Sequence, residues 1–236
     1  MKILAFDSSG MVASVAVAED DNLIGEYTIN HKKTHSQTLL PMLDELAGMT
    51  ELDLAAIDAI AVASGPGSFT GLRIGSATAK GLGQALGKPI VEIPTIEGMA
   101  YNLYHSEGLI CPLMDARRNQ VYTGLYQWQD GVFQVVEEQM AVAIDEILSK
   151  VNQYNMPVIF LGDGVNVFAD TIREKITVPC SFAPAHLNRQ RASALAARAV
   201  EYVKEGRIVT AQEHKPDYLR LSQAERERME KEQECK

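Results

Sequence analysis

Apolar positions in this chain fall into short runs separated by turn residues, and the runs recur in a set order. Residues 2–8 (KILAFDS) form an apolar strand ending in Asp7-Ser8-Ser9-Gly10. Met11 to Ala18 alternates in part and predicts a second strand, Asp20-Asp21-Asn22 is turn chemistry, and Leu23 to Ile29 predicts a third. Three strands joined by such short turns form an antiparallel meander. A helix is expected over 34–47, opened by the capping box Thr34-x-x-Gln37, with Leu39, Leu43, Leu46 and Ala47 on its apolar face and Gly48 as its stop. Pro41 inside it predicts a kink or a later start. The apolar run 57–63 reads as a buried strand, followed by a glycine-rich loop, a helix over 70–86, a strand over 89–93 and a helix over 95–104.

The same order then starts again. Strands are expected over 109–114, ending in Asp115, and over 120–128 and 132–139, the last two joined across Asp130-Gly131. A helix over 144–154, a strand over 157–161, the turn Gly162-Asp163-Gly164, a helix over 166–175, a short strand near 177–180 and an Ala-rich helix over 190–204 complete it. Each half reads βββαβαβα, with an aspartate closing its first strand. The duplication predicts an α/β chain of two ribonuclease-H-like lobes, the architecture of actin, hexokinase and Hsp70, also called ASKHA. The expected boundaries are 1–105 for the first lobe and 106–220 for the second, with the last helix able to pack back on the first. A mixed-charge tail without an apolar stripe follows over 221–236.

The loop between the two halves of the first lobe carries the densest local signal. Ser64-Gly65-Pro66-Gly67-Ser68-Phe69-Thr70-Gly71-Leu72-Arg73-Ile74-Gly75 joins a strand to a helix through a tight turn, with Ser68 or Thr70 available as the cap. Such an order can hold an anion on backbone N–H groups, and it can also merely reverse the chain. The helix beyond contains Gly71, Gly75, Gly81 and Gly83, which together cost roughly 3–4 kcal/mol against alanine. Gly75, Ala79 and Gly83 make a small-residue stripe beside a ridge of Ile74, Thr78, Leu82 and Leu86. The stripe fits either close packing on the chain's own sheet or contact with a helix of another subunit.

Composition narrows the function classes. With 46% hydrophobic and 22% charged residues among 236, the chain is ordinary for a soluble globular protein. No apolar run is long enough to span a bilayer and no signal peptide follows Met1-Lys2, so a cytoplasmic protein is expected. Cys111, Cys180 and Cys235 lack the CxxC spacing of a zinc site and are odd in number. A net charge of −9 argues against an unaided grip on nucleic acid.

In a two-lobed fold of this kind, Asp7 and Asp115 would face the cleft and could hold Mg²⁺ or orient a water. Ser8, Ser9 and Gly10 could cradle an anion, and Gly162 and Gly164 could pass a nucleoside beneath a helix N-terminus. Asp115-Ala116-Arg117-Arg118 lacks the glycines for such a cradle, leaving Arg117 and Arg118 either as anion ligands or as solvated surface. His31 and His35 have the spacing of helical metal ligands, yet His31 precedes the cap, and no third ligand lies nearby. No nucleophile elbow is present, and Cys111 has no recognisable partner.

These residues resemble the TsaB (YeaZ) family over most of the chain. The resemblance rests on residues 3–9 (ILAFDSS), His35-Ser36-Gln37 with Leu39-Leu40-Pro41, the loop 65–75, Asp115-Ala116-Arg117-Arg118 and Pro216-Asp217-Tyr218-Leu219-Arg220. It implies a non-catalytic partner of TsaD, the subunit that forms N6-threonylcarbamoyladenosine (t6A) at position 37 of tRNA. TsaD carries a metal-binding His-x-x-x-His beside a Glu-Gly pair. Here Glu97-Gly98 is kept, while Thr95 and Met99 stand where the histidines align, so no metal chemistry is expected. The resemblance further implies a scaffold that docks a TsaD-like subunit through helices 34–47 and 70–86, with His35, Leu39, Leu43, Ser68, Phe69, Thr70, Arg73, Ile74, Gly75, Thr78 and Leu82 at the interface. A TsaE-like ATPase would join the assembly, tRNA would be reached only through it, and the bare chain would form homodimers. The chain itself would need no cofactor, ATP being used by the partners. The rival reading is a nucleotide-hydrolysing or kinase-type enzyme of the same fold that uses Asp7 and Asp115.

Overall fold

The computed structural model describes residues 1–219; Arg220 and the tail expected over 221–236 lie outside the described residues. The first half contains β1 (Lys2–Asp7), β2 (Val12–Glu19), β3 (Asn22–Asn30), α1 (His35–Met49), β4 (Ala59–Gly65), α2 (Phe69–Leu86), β5 (Ile90–Pro94) and α3 (Thr95–Ala100). The second contains β6 (Leu109–Asp115), β7 (Gln120–Gln129), β8 (Val132–Ala143), α4 (Ile144–Tyr154), β9 (Val158–Leu161), α5 (Gly164–Lys175), β10 (Cys180–Phe182) and α6 (Ala192–Lys204). Two five-stranded sheets result, ordered β3-β2-β1-β4-β5 and β8-β7-β6-β9-β10, so the duplicated element order is also a duplicated topology. In each sheet the first strand runs antiparallel to the second and parallel to the fourth, as in Leu4 opposite Val17 and Ile60.

Helices cover both faces of the first sheet, which is why residues 3–6 of β1 and 59–63 of β4 are continuously apolar instead of alternating. One face packs on Leu39, Met42, Leu43 and Leu46 of α1 and on Ala79 of α2. The other packs on α6, where Ala192, Ala196 and Ala199 lie among Ala5, Ala16, Ala61 and Ala63 of the strands. Methyl groups meeting methyl groups let that helix approach closely. In the second lobe α4 and α5 cover one face of the sheet. On the other, α3 buries Ile96, Met99 and Ala100 against Ile110, Met114, Tyr126 and Leu161. Thus each half sends its closing helix to the other half's sheet. Where the two cross, buried Glu97 of α3 accepts hydrogen bonds from Arg198 Nε at 2.6 Å and from the Tyr202 hydroxyl at 2.9 Å, both on α6.

Several boundaries depart from expectation for local reasons. Thr34 precedes α1 but makes no side-chain cap, so the capping box with Gln37 is not formed. Gly48 does not stop that helix, which runs to Met49 with Pro41 inside it. The last strand lies at 180–182, not 177–180: Pro179 lacks an N–H and serves the ladder only as an acceptor for Val158. Helix α5 begins two residues early, at Gly164, and α3 stops at Ala100 before a series of turns.

Candidate functional site

The loops after β1, β4 and β6 meet at the carboxyl ends of the strands, between the lobes, where open α/β sheets place their ligands. Gly67 of the β4–α2 connection and Gly71 and Gly75 of the first turns of α2 lock onto the turn after β1. A Cβ on Gly67 would lie 2.3 Å from the Ser9 carbonyl oxygen, one on Gly71 2.0 Å from that of Ser8, and one on Gly75 2.7 Å from Ser8 Oγ. Ser68 N–H donates to the Ser9 carbonyl at 2.6 Å, and the Ser8 hydroxyl donates to the Gly71 carbonyl at 2.9 Å. Of the two candidate caps, Ser68 is the one used, accepting from Gly71 N–H at 3.2 Å. These glycines therefore serve the chain's own packing, and Gly75, Ala79 and Gly83 all face inward on α2.

Asp7 is fully buried and does not line the cleft, contrary to expectation. Its Oδ1 accepts from Ser9 N–H at 2.7 Å, while Oδ2 has no partner among the described residues. Burial pushes its carboxyl above the usual range, against the pull of the Ser9 bonds and the neighbouring His35. Ser8 is likewise buried and faces Gly71, not the cleft. Ser9 and Gly10 do border the cleft, a cavity of about 660 Å³ whose walls also include Lys33, His35, Asp115, Arg117, Tyr122, Asp163 and Tyr218. His35 stands at the first position of α1, and its ring Nε2 is 2.7 Å from the Gly10 carbonyl. Among the described residues no cluster of three or more His, Cys, Asp or Glu side chains could hold a metal ion.

On the opposite wall Asp115 faces the cavity, and Asp163 Oδ1 accepts from its backbone N–H at 3.2 Å. Burial raises the Asp163 carboxyl, with Asp115 adding repulsion. Gly162 and Gly164 do not open toward a ligand: a Cβ on either would strike the Leu113 carbonyl oxygen, at 2.1 and 2.9 Å. Arg117, Arg118 and Asn119 form the β6–β7 turn with left-handed φ values of 65°, 56° and 56°. Arg117 N–H donates to Asp115 Oδ1 at 2.8 Å, and its guanidinium lies 3.9 Å from the same carboxylate. A buried aspartate, glycines spent on a carbonyl and arginines at the turn do not make the glycine cradle that a nucleotide needs. Cys111 is buried within β6, and burial pushes its thiol up to about 12.

The expected interface residues separate into two sets. Leu39 and Leu43 are core residues, at 1% and 6% exposure, and cannot touch a partner. Gly75 is covered by Ser8, while Ile74 and Leu82 are half-buried against the first lobe's core and Thr78 is half-buried with its hydroxyl on the Ile74 carbonyl. Ser68, Thr70 and Arg73 are exposed, and Phe69 is half-exposed. Facing solvent beyond them is a second small-residue stripe, Ala77, Gly81 and Ala85, absent from the expected interface. A Cβ on Gly81 would meet nothing within 4 Å. The two stripes have the same four-residue spacing, and only the phase of fully buried Leu72 and Ala79 tells which one faces the sheet.

A family model described as TsaD, tRNA N6-adenosine threonylcarbamoyltransferase, matches residues 22–228. A Bacillus subtilis protein, tRNA threonylcarbamoyladenosine biosynthesis protein TsaB, is 36% identical over 225 residues, covering 95% of this chain and 96% of its own. The chain belongs to the TsaB family. The solved structure of YeaZ from Pseudomonas aeruginosa is similar with a TM-score of 0.76 at 26% identity, covering 92% of this chain and 99% of its own. A ROK hexokinase from Thermus thermophilus shares the fold alone, with a TM-score of 0.50 at 12% identity, covering 87% of this chain and all of its own. The ASKHA architecture is thereby established. In this TsaB-family chain Thr95 and Met99 are buried on α3, with Met99 inside the apolar cluster of the second lobe. Glu97, beside them, is taken by the ion pair with Arg198.

Proposed function

We infer that this chain takes part in t6A biosynthesis as a scaffold that is non-catalytic on its own and docks a TsaD-like catalytic subunit through the outer face of α1 and α2. One observation carries the reading. Gly81 sits in mid-helix on the solvent side with nothing near it, so its roughly 1 kcal/mol helix cost has no reason inside the chain. A partner helix packed on Ala77, Gly81 and Ala85 supplies one, because small residues let two backbones approach closely. Exposed Leu40 and Met49 on α1 add apolar area to the same side of the lobe. The absence of catalysis by the chain alone is supported by the burial of Asp7 and by the core packing of Met99. In this reading the chain needs no cofactor, ATP is used by a TsaE-like ATPase and other partners, tRNA is met through the assembly, and the same face makes homodimers when TsaD is missing. In this reading the chain works in the cytoplasm. No helix among the described residues is long and apolar enough to cross a membrane.

The test is Gly81→Phe in the full chain, with capture of the TsaD-like subunit and the t6A content of tRNA as readouts. Loss of both without a fall in melting temperature is expected. Undiminished capture and modification would remove the docking face from α2.

A further inference from the structure

Residues 208–219 leave α6 and run back across the first lobe to the mouth of the cleft. Val209 and Ile90 exchange backbone hydrogen bonds at 2.8 and 2.9 Å, extending the sheet at the free edge of β5. His214, 1% exposed, places Nδ1 2.6 Å from Glu92 Oε1, and Lys215 N–H donates to the same oxygen at 3.1 Å. Asp217 N–H then donates to the Ser64 carbonyl at 2.7 Å. Its own carbonyl passes 2.1 Å from where a Cβ on Gly65 would sit, at φ +124°, a position only glycine can fill.

At its end this segment touches both the start of α2 and strand β8. The Tyr218 ring lies 4.5 Å from that of Phe69, and its hydroxyl accepts from Arg73 Nε at 3.4 Å, while the Arg73 guanidinium sits 4.0 Å over the Phe69 ring. Phe69 and Arg73 belong to the first turns of α2. One residue earlier, Asp217 Oδ2 accepts from Gln139 Nε2 at 3.1 Å, and Gln139 is in β8 of the second lobe. Asp217, Tyr218 and Leu219 all border the cavity.

We propose that residues 208–219 are a clasp that couples the outer face of α2 to the separation of the lobes. The crossing of α3 and α6 at Glu97 and Arg198 is the hinge, and the Tyr218–Asp217–Gln139 contact holds the mouth on the opposite side. A body that packs on Phe69 and Arg73 displaces or traps Tyr218, and the adjoining Asp217 transmits that to β8. The inference rests on the docking reading only for the identity of that body. The coupling itself is internal and is tested without a partner.

The experiment uses the full chain carrying Cys180→Ser and Cys235→Ser, with spin labels at Glu45→Cys on α1 and Glu146→Cys on α4, both exposed sites. Pulsed dipolar spectroscopy reads the distance between the lobes. Tyr218→Ala and Gln139→Ala should each shift and broaden the distribution toward longer distances, whereas Tyr27→Ala, an exposed tyrosine on β3, should leave it unchanged. Thermal melting checks that each variant is folded, and the Gln139 variant stands by itself if the Tyr218 variant is not. An unchanged distribution in a folded Gln139→Ala or Tyr218→Ala chain overturns the proposal. Capture of a TsaD-like subunit by the same variants is scored separately, so a failed docking face and a failed clasp give different results.

Discussion

The same substitution at two glycines of α2 should move stability in opposite directions. At Gly81 an added methyl meets nothing within 4 Å, so Gly81→Ala should recover the helix propensity alone, about 1 kcal/mol. For a chain of this size that raises the melting temperature by about 2–4 °C. At Gly71 the methyl would stand 2.0 Å from the Ser8 carbonyl oxygen. A carbon–oxygen contact relaxes near 3.3 Å, so the helix and the β1 turn must separate by about 1.3 Å. That oxygen is main chain and cannot rotate aside, which puts the overpacking at the upper end of its range, about 3 kcal/mol. Net of the propensity gain, Gly71→Ala should lose about 2 kcal/mol and about 4–8 °C. Urea and thermal unfolding, at a concentration where sedimentation finds only monomer, would measure both. If the two variants shift in the same direction, the assignment of inward and outward faces on α2 is wrong.

Arg198→Ala leaves the Glu97 carboxylate buried with Tyr202 as its remaining donor, and should cost about 3–5 kcal/mol in urea unfolding. The His214 bond, partly opposed by burial, holds Glu92 below its ordinary 4.5, so the stability it adds is present above pH 4.5 and lost as pH falls through the lower folded value. Glu92→Gln should therefore flatten that acid limb, and a parallel loss of stability at all pH values would refute the linkage. In a Cys235→Ser chain, iodoacetamide should modify exposed Cys180 in the native state but reach Cys111 only on unfolding, which peptide mass mapping would show.

Much of the fold was legible because the pattern occurs twice. Continuous apolar runs such as residues 3–6 and 59–63 belong to strands covered on both faces, and periodicity alone placed α4 at its observed ends. Contacts between distant segments were less visible. Nothing in residues 1–10 shows that Asp7 faces inward, because the turn beside it, Ser8 and Ser9, is closed over by Gly67, Gly71 and Gly75 from far along the chain. Leu39 and Leu43 were correctly apolar, but an apolar face can serve a core or a partner, and only the sheet beneath decided between them. Tyr218 lies 149 residues from Phe69 in sequence, and local spacing carries no information over that range.

The exchange of closing helices gives the two halves a shared fate. A fragment cut at residue 105 would keep α3 but lose α6, baring the alanine-lined side of its sheet and leaving Ile96 and Met99 without the strands they rest on. Neither piece could be expected to ripen alone on the ribosome. The N-terminal half must wait, partly uncovered, until residues 192–204 have been made, so the alanine-lined face of its sheet stays bare for about as long as translation of its second half takes.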